Sequence, residues 1–235
     1  MEIASAPPQS SRDEQNLDAP AFVAQLVDEM QQLFARLDHE ATLELETGGR
    51  PEVVSLLKMA LKSELEAAEI AAHWLPSTAE IDAKTVFAEQ CSDELKHYNL
   101  IVSRLEQLGE DMSGFSPFAD GHSPLFRYLR GLRTMIERVA AGPFACEAVA
   151  EVRNRQFIDF CRRAGDHRTA DLYENIIHPE ESHHHRRGRE ILEKYATTPE
   201  LQALAAAATH SSLAIADELR SIAERTTGLH SPPVS

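Results

Sequence analysis

The sequence predicts an all-α protein, a bundle of long helices joined by short turns with antiparallel neighbours. Apolar residues recur at the i, i+3, i+4, i+7 spacing over long stretches, and no segment shows the two-residue alternation of a β-strand between turn signals. Glycine is scarce, 10 in 235 residues, and most glycines stand where a helix would end.

Residues 1–18 are rich in Pro, Ser, Gln and Asp and are expected to form a flexible tail. A helical domain is expected over 19–225. From Pro20, the residues Phe22, Val23, Leu26, Val27, Met30 and Leu33 make the first helical stripe. Gly48-Gly49-Arg50-Pro51 breaks it, and Pro51 suits the first position of a second helix running to Leu75. Pro76-Ser77 ends that helix, and a third runs from about Thr78 to Leu108, with Gly109 as its stop. Residues 110–123 read as an irregular loop. Pro124 opens a helix expected to end at Gly142-Pro143, and another follows from Pro143 to Ala164. Gly165-Asp166 turns the chain into a helix ending near Tyr195. Pro199 opens an Ala-rich last helix, and 226–235 is expected to be a second flexible tail.

The composition narrows the function. The formal net charge of −15 argues against a nucleic-acid surface, which needs a basic patch. No window reaches 18 apolar residues without a charge, so a membrane-spanning helix is not expected. The first residues lack a basic and then apolar leader, and a cytoplasmic location is expected. Three cysteines, Cys91, Cys146 and Cys161, without C-x-x-C spacing favour free thiols over a disulfide framework or a thiolate metal site.

The informative anomaly is acid on apolar faces. Glu64 lies within the stripe Leu57, Leu61, Ala68 of the second helix, and Glu94 and His97 interrupt Phe87, Ile101, Leu105 of the third. Glu147 and Glu151 interrupt Phe144, Ile158, Cys161, and Glu181 and His184 interrupt Ile177, Ile191, Tyr195. An ionised carboxylate in an apolar interior costs several kcal/mol unless it is paired or bound to metal. Two divalent metals would balance four such carboxylates, and two imidazoles would complete their shells.

The spacing sharpens this. Glu94-Leu-Lys-His97 and Glu181-Ser-His-His184 are both Glu-x-x-His, which puts two ligands one turn apart on one helix face. Each follows a helix with Glu-x-x-Ala, at Glu64 and at Glu147. Thirty residues separate Glu64 from Glu94, and 34 separate Glu147 from Glu181, so each hairpin brings its carboxylates to a similar height. Glu180 also starts a Glu-x-x-His, but only Glu181 aligns with Ile177 and Ile191.

This layout, Glu…Glu-x-x-His…Glu…Glu-x-x-His over about 51–195, resembles the ferritin-like di-iron carboxylate superfamily. The resemblance implies a four-helix bundle of two helical hairpins with a long crossover, here with extra N- and C-terminal helices. It implies the ligands Glu64, Glu94, His97, Glu147, Glu181 and His184, with Glu94 and Glu181 bridging two metal ions. Asp93 and Glu180, each just before a motif Glu, would then hydrogen-bond the opposite ligand His. Glu151, one turn after Glu147, is an additional or alternative ligand, as an extra Glu is in rubrerythrin-like sites.

The donor set suits two iron ions, with manganese or a mixed Mn/Fe pair also compatible. The implied function is a di-iron oxygenase or oxidase using dioxygen on a small organic substrate, with an external electron donor where turnover requires one. Ferroxidase or peroxide-reducing activity and a non-catalytic helical interaction module are the alternatives. The terminal helices would cover the bundle or form a homodimer interface. Phe115, Phe118, Leu125 and Phe126 of the crossover could line an apolar route to the site or simply pack. His185 is placed either in a core contact or beside a ligand.

The Glu-x-x-Ala match makes Glu147 the expected principal ligand on its helix. Glu147→Ala should therefore lose bound metal more severely than Glu151→Ala when metal content per chain is measured; the reverse order would place the ligand one turn further on.

Overall fold

A computed structural model describes residues 17–37 and 52–227, with side chains described up to residue 218. Most of the tails expected over 1–18 and 226–235, namely 1–16 and 228–235, and the break at Gly48–Pro51 lie outside the described residues, while Thr226 and Thr227 continue the last helix. Leu17 and Asp18 belong to the helical body rather than to the tail. Leu17 packs on the core, and Asp18 Oδ1 accepts from the Ala21 N–H at 2.9 Å, capping the first helix.

Among the described residues the chain is all-helical, without a strand. Helix α1 is Ala19–Leu37, α2 is Val53–Trp74 and α3 is Ile81–Gln107. A 3₁₀ turn, Leu75–Ser77, joins α2 to α3. Helix α4 is the short Pro124–Arg130. Helix α5 runs over 135–163 without interruption: Met135–Val139, a π-helical stretch Ala140–Cys146, then Glu147–Arg163. Helix α6 runs over 167–195 in the same manner, with Tyr173–Ile177 π-helical between His167–Leu172 and His178–Tyr195. Helix α7 is Pro199–Thr227. No helix of the described residues is long and apolar enough to cross a membrane.

The hairpins α2–α3 and α5–α6 pack together chiefly through α3 against α6. Helix α1 lies on α6, α7 lies on the first half of α5, and α4 lies on α2. Two apolar clusters fill the interior. One contains Trp74, Phe87, Phe144 and Ile191 together with α1 and α7 residues; the other contains Leu57, Leu61, Ile101, Leu105, Phe157 and Ile177. Each hairpin's turn is clamped by an arginine of the other hairpin. Arg138 of α5 donates to Ser77 Oγ at 2.9 Å in the α2–α3 turn. Arg104 of α3 donates to Thr169 Oγ1 at 2.7 Å and pairs with Asp166 Oδ1 at 2.6 Å at the α5–α6 turn.

Gly142-Pro143 does not end a helix. Proline lacks an N–H and its ring collides with the carbonyl one turn back, which is why the pair predicts a break. Here the backbone widens into a π-helical stretch around Pro143, the usual way a helix absorbs a local disruption. Gly142 answers a packing need, because a Cβ there would lie 2.8 Å from Trp74 Cζ3. Gly188 of α6 is tighter still, since its Cβ would meet the Phe144 nitrogen at 2.7 Å and the Pro143 carbonyl carbon at 2.8 Å. Gly109 and Gly165 do stop α3 and α5, with φ of 92° and 79°.

Two smaller expectations also change. Leu108, the expected last residue of the third helix, is an exposed apolar side chain just past α3. Phe115 packs into the lower cluster and Phe118 stacks near His122, whereas Leu125 and Phe126 do line a cavity beside the buried acids.

The obstruction at Gly188 is backbone and cannot rotate away. Gly188→Ala should therefore lower stability by about 1–3 kcal/mol, despite the gain of about 1 kcal/mol that alanine brings to an exposed helix. Denaturant unfolding monitored by circular dichroism measures the change; an unchanged or raised midpoint would mean that α5 and α6 are not in this contact.

Candidate metal centre

The structure brings all six inward Glu and His residues together midway along the bundle. Glu64 comes from α2, Glu94 and His97 from α3, Glu147 from the first turn after the π-helical stretch of α5, and Glu181 and His184 from α6. All six are buried, His97 completely. Their ligand atoms form two overlapping groups. Glu64, Glu94, His97 and Glu181 make one, and Glu94, Glu147, Glu181 and His184 the other, with the atoms of each group within 4.8 Å of one another. Glu94 and Glu181 belong to both.

The imidazole orientations follow from their second contacts. His97 Nδ1 faces Glu94 Oε2 at 3.1 Å and Glu64 Oε2 at 3.3 Å, while its Nε2 donates to Glu180 Oε2 at 2.8 Å. His184 Nδ1 faces Glu94 Oε1 at 3.4 Å, and its Nε2 donates to Asp93 Oδ2 at 3.2 Å. Each acid thus holds the His of the opposite helix, and Nδ1 of both rings is left facing the carboxylates. Lys96 ties the two acids together, lying 2.8 Å from Asp93 and 2.7 Å from Glu180. Gln90, buried one turn before Glu94, donates its amide N–H to Glu147 Oε1.

Gln90 and Lys96 are the polar partners that the sequence alone did not single out. Gln90 had a signal, since it lies four residues before Glu94 on the same face. Lys96 had none, because its role depends on α6 lying beside α3. Glu151 stands outside both groups and faces Arg155 at 4.0 Å on the half-exposed side of α5. His185 makes a core contact, its Nδ1–H donating to the Phe144 carbonyl at 2.7 Å and its ring stacking on Phe144. The cysteines take no part in either group.

Without metal the cluster is held together by protons. Burial, reinforced by the charge of Glu94, pushes Glu64 well above the usual carboxylate range, and burial beside Glu181 does the same to Glu147. Burial and then Glu94 raise Glu181 to about 6. Burial would also raise Glu94, but the facing His184, His97 and Glu64 groups outweigh it and hold Glu94 at about 2. Burial alone would lower His97, yet Glu64 and Glu94 raise it to about 11. His184 is raised in the same way by Glu94. Glu94 Oε1 and His184 Nδ1 both lack a hydrogen-bond partner of good geometry although they face one another. Four carboxylates and two imidazole nitrogens converging on one buried volume fit divalent cations with oxygen and nitrogen preference, and the buried Glu/His cluster can hold a metal ion.

Comparison of the chain with protein-family models, with curated proteins and with solved structures gives no match.

The proton and metal states should respond to pH with opposite signs. In metal-free protein Glu64, Glu147, Glu181 and His97 have raised folded values. Their stabilisation is therefore complete below the unfolded values and is lost as pH rises through the folded ones. The depressed Glu94 contributes stability that is fully present above about 4.5 and is lost as pH falls toward about 2, so its pH dependence lies below this window. Metal binding requires the carboxylates ionised, so its stabilisation grows with pH. The gap in Tm between Mn(II)-loaded and metal-free protein should widen from about pH 5.5 to pH 8 in calorimetry; a gap independent of pH would mean that these carboxylates are not the ligands.

Proposed function

We propose that the chain is a non-haem di-iron oxygenase or oxidase that uses dioxygen on a small organic molecule. The observation that carries this is a cavity of about 340 Å³ between α2 and α5, covered by α4 and α7, whose wall includes Glu64, Glu94, Glu147 and Glu181. The remaining wall is mainly apolar, with Leu56, Ile70, Phe126, Leu129, Val149 and Phe157. A cluster serving only to neutralise buried charge needs no such space beside it. A mostly apolar cavity meeting a few convergent polar groups is the form of a small-molecule site.

In this proposal Glu64, Glu94, His97 and Glu181 would hold one ion and Glu94, Glu147, Glu181 and His184 the other, Glu94 and Glu181 being common to both groups. When bound, a pair of ferrous ions supplies two electrons for dioxygen chemistry. The chain supplies the rest. The Glu180 and Asp93 carboxylates keep the Nε2 protons of His97 and His184 in place, so Nδ1 is the free donor atom of each ring. The Gln90 amide fixes the Glu147 carboxylate. The apolar walls exclude bulk water and place the organic molecule against the carboxylate layer.

The test is anaerobic Fe(II) loading followed by exposure to dioxygen. About two irons per chain should bind, and about one dioxygen per site should be consumed before uptake stops for want of reductant or substrate. Glu94→Ala and Glu181→Ala should each abolish the dinuclear site. Full metal stoichiometry in both variants would remove the ligand assignment, and a large hollow assembly accumulating hundreds of irons would replace the oxygenase by iron storage.

A further inference from the structure

The two halves of the carboxylate centre are near copies in sequence, yet their donor atoms are engaged differently. In each half one Glu hydrogen-bonds with an acid common to both groups, Glu64 with Glu94 and Glu147 with Glu181. In each half one His donates its Nε2–H outward, His97 to Glu180 and His184 to Asp93. The remaining contacts are not alike.

In the half built on Glu64 and His97, the donor atoms satisfy one another. His97 Nδ1 lies within hydrogen-bond distance of Glu94 Oε2, at 3.1 Å, and of Glu64 Oε2, at 3.3 Å. Glu181 Oε1 follows at 3.7 Å. An ion entering this half must first part the imidazole from two carboxylates.

In the half built on Glu147 and His184, two donor atoms are left over. Glu94 Oε1 and His184 Nδ1 are buried, lie 3.4 Å apart, and have no hydrogen-bond partner of good geometry. Buried polar atoms in this state are costly, and one cation among Glu94, Glu147, Glu181 and His184 satisfies both at once.

Gln90 favours the same half. Its side chain is buried, and its amide N–H donates to Glu147 Oε1. Glu147 is therefore held in place before an ion arrives, and less of the binding free energy is lost in ordering it. Gln90 stands four residues before Glu94. The matching position, four residues before Glu181, is Ile177, a member of the lower apolar cluster with no donor to offer Glu64. The sequence repeat is broken at this one polar position.

Resting on the dinuclear part of the reading above, we propose that the centre takes its two ions in a fixed order. The first binds among Glu94, Glu147, Glu181 and His184. The second binds with Glu64 and His97, after His97 has left its two carboxylate contacts. Gln90 is a positioning residue that sets this order through Glu147.

Calorimetric titration of the metal-free full chain with Mn(II), followed in parallel by electron paramagnetic resonance, tests this. The first ion should bind about ten-fold or more tightly than the second. It should show the resolved hyperfine pattern of an isolated Mn(II), which the second ion replaces by the broadened signal of a coupled pair. Repulsion between two dications also produces two steps, so variants assign them. Glu64→Ala should keep the tight step unchanged and lose the weak one. Glu147→Ala should weaken the first ion about ten-fold or more. Gln90→Leu, which keeps every ligand, should weaken the tight step about ten-fold and narrow the gap between the steps. Thermal unfolding of each metal-free variant confirms its fold, and Glu64→Ala with Gln90→Leu decide the matter if Glu147→Ala does not fold. Two equal steps, loss of the tight step in Glu64→Ala, or a wild-type gap in Gln90→Leu overturns the order and leaves the dinuclear centre standing. One Mn(II) per chain at saturation, or none, removes the dinuclear reading and the order with it.

Discussion

Four carboxylates share one buried interior volume, and the rest of the fold answers to that. Glu64, Glu94, Glu147 and Glu181 are all buried, and like charges at this density cannot all be ionised without compensation. In the metal-free chain the compensation is a set of protons, held on Glu64 and Glu147 and on the two imidazoles. Around this centre Asp93, Glu180 and Lys96 form an outer polar layer joining α3 to α6. Above and below it lie the two apolar clusters, which supply the burial that offsets so much desolvated charge.

The two hairpins carry the same ligand pattern on different backbones. Helices α2 and α3 are regular through their ligands, whereas α5 and α6 each contain a π-helical stretch just before theirs, at 140–146 and 173–177. Such stretches shift the register of the residues C-terminal to them and occur preferentially at functional sites. Here they set the facing of Glu147 and Glu181. The first also brings Pro143 and Phe144 against Gly188, and Gly142 against Trp74, so the local widening and the close approach of the helices are one arrangement. The Arg138 and Arg104 clamps at opposite ends hold the hairpins in the offset that brings both ligand pairs level.

Helices α2 and α5 face one another across a cavity rather than through interdigitated side chains. The crossover helix α4 and the C-terminal helix α7 cover that opening, which gives the additional helices a role beyond simple packing. Their position makes one wall of the carboxylate cluster accessible to a molecule while its opposite wall, formed by α3 and α6, is sealed by hydrogen bonds.

The helical class, most helix ends and the six inward Glu and His residues were legible in the sequence, because helical periodicity assigns each residue to a face and an acid on an apolar face stands out against it. The pairing of Asp93 and Glu180 with the opposite histidines was implied by resemblance and needed the structure to be seen. The passage of α5 through Gly142-Pro143, the position of Glu151 outside both groups and the contact of His185 with Phe144 were visible only in three dimensions. The proline is accommodated by a π-helical widening that depends on the packing around Gly142 and Gly188, which no local propensity shows. Lys96 and the lining of the cavity were hidden for a related reason, because they depend on which helices meet and at what distance. That is fixed by the close contacts of Gly142 and Gly188 and by the two arginine clamps, not by the periodicity of any one helix.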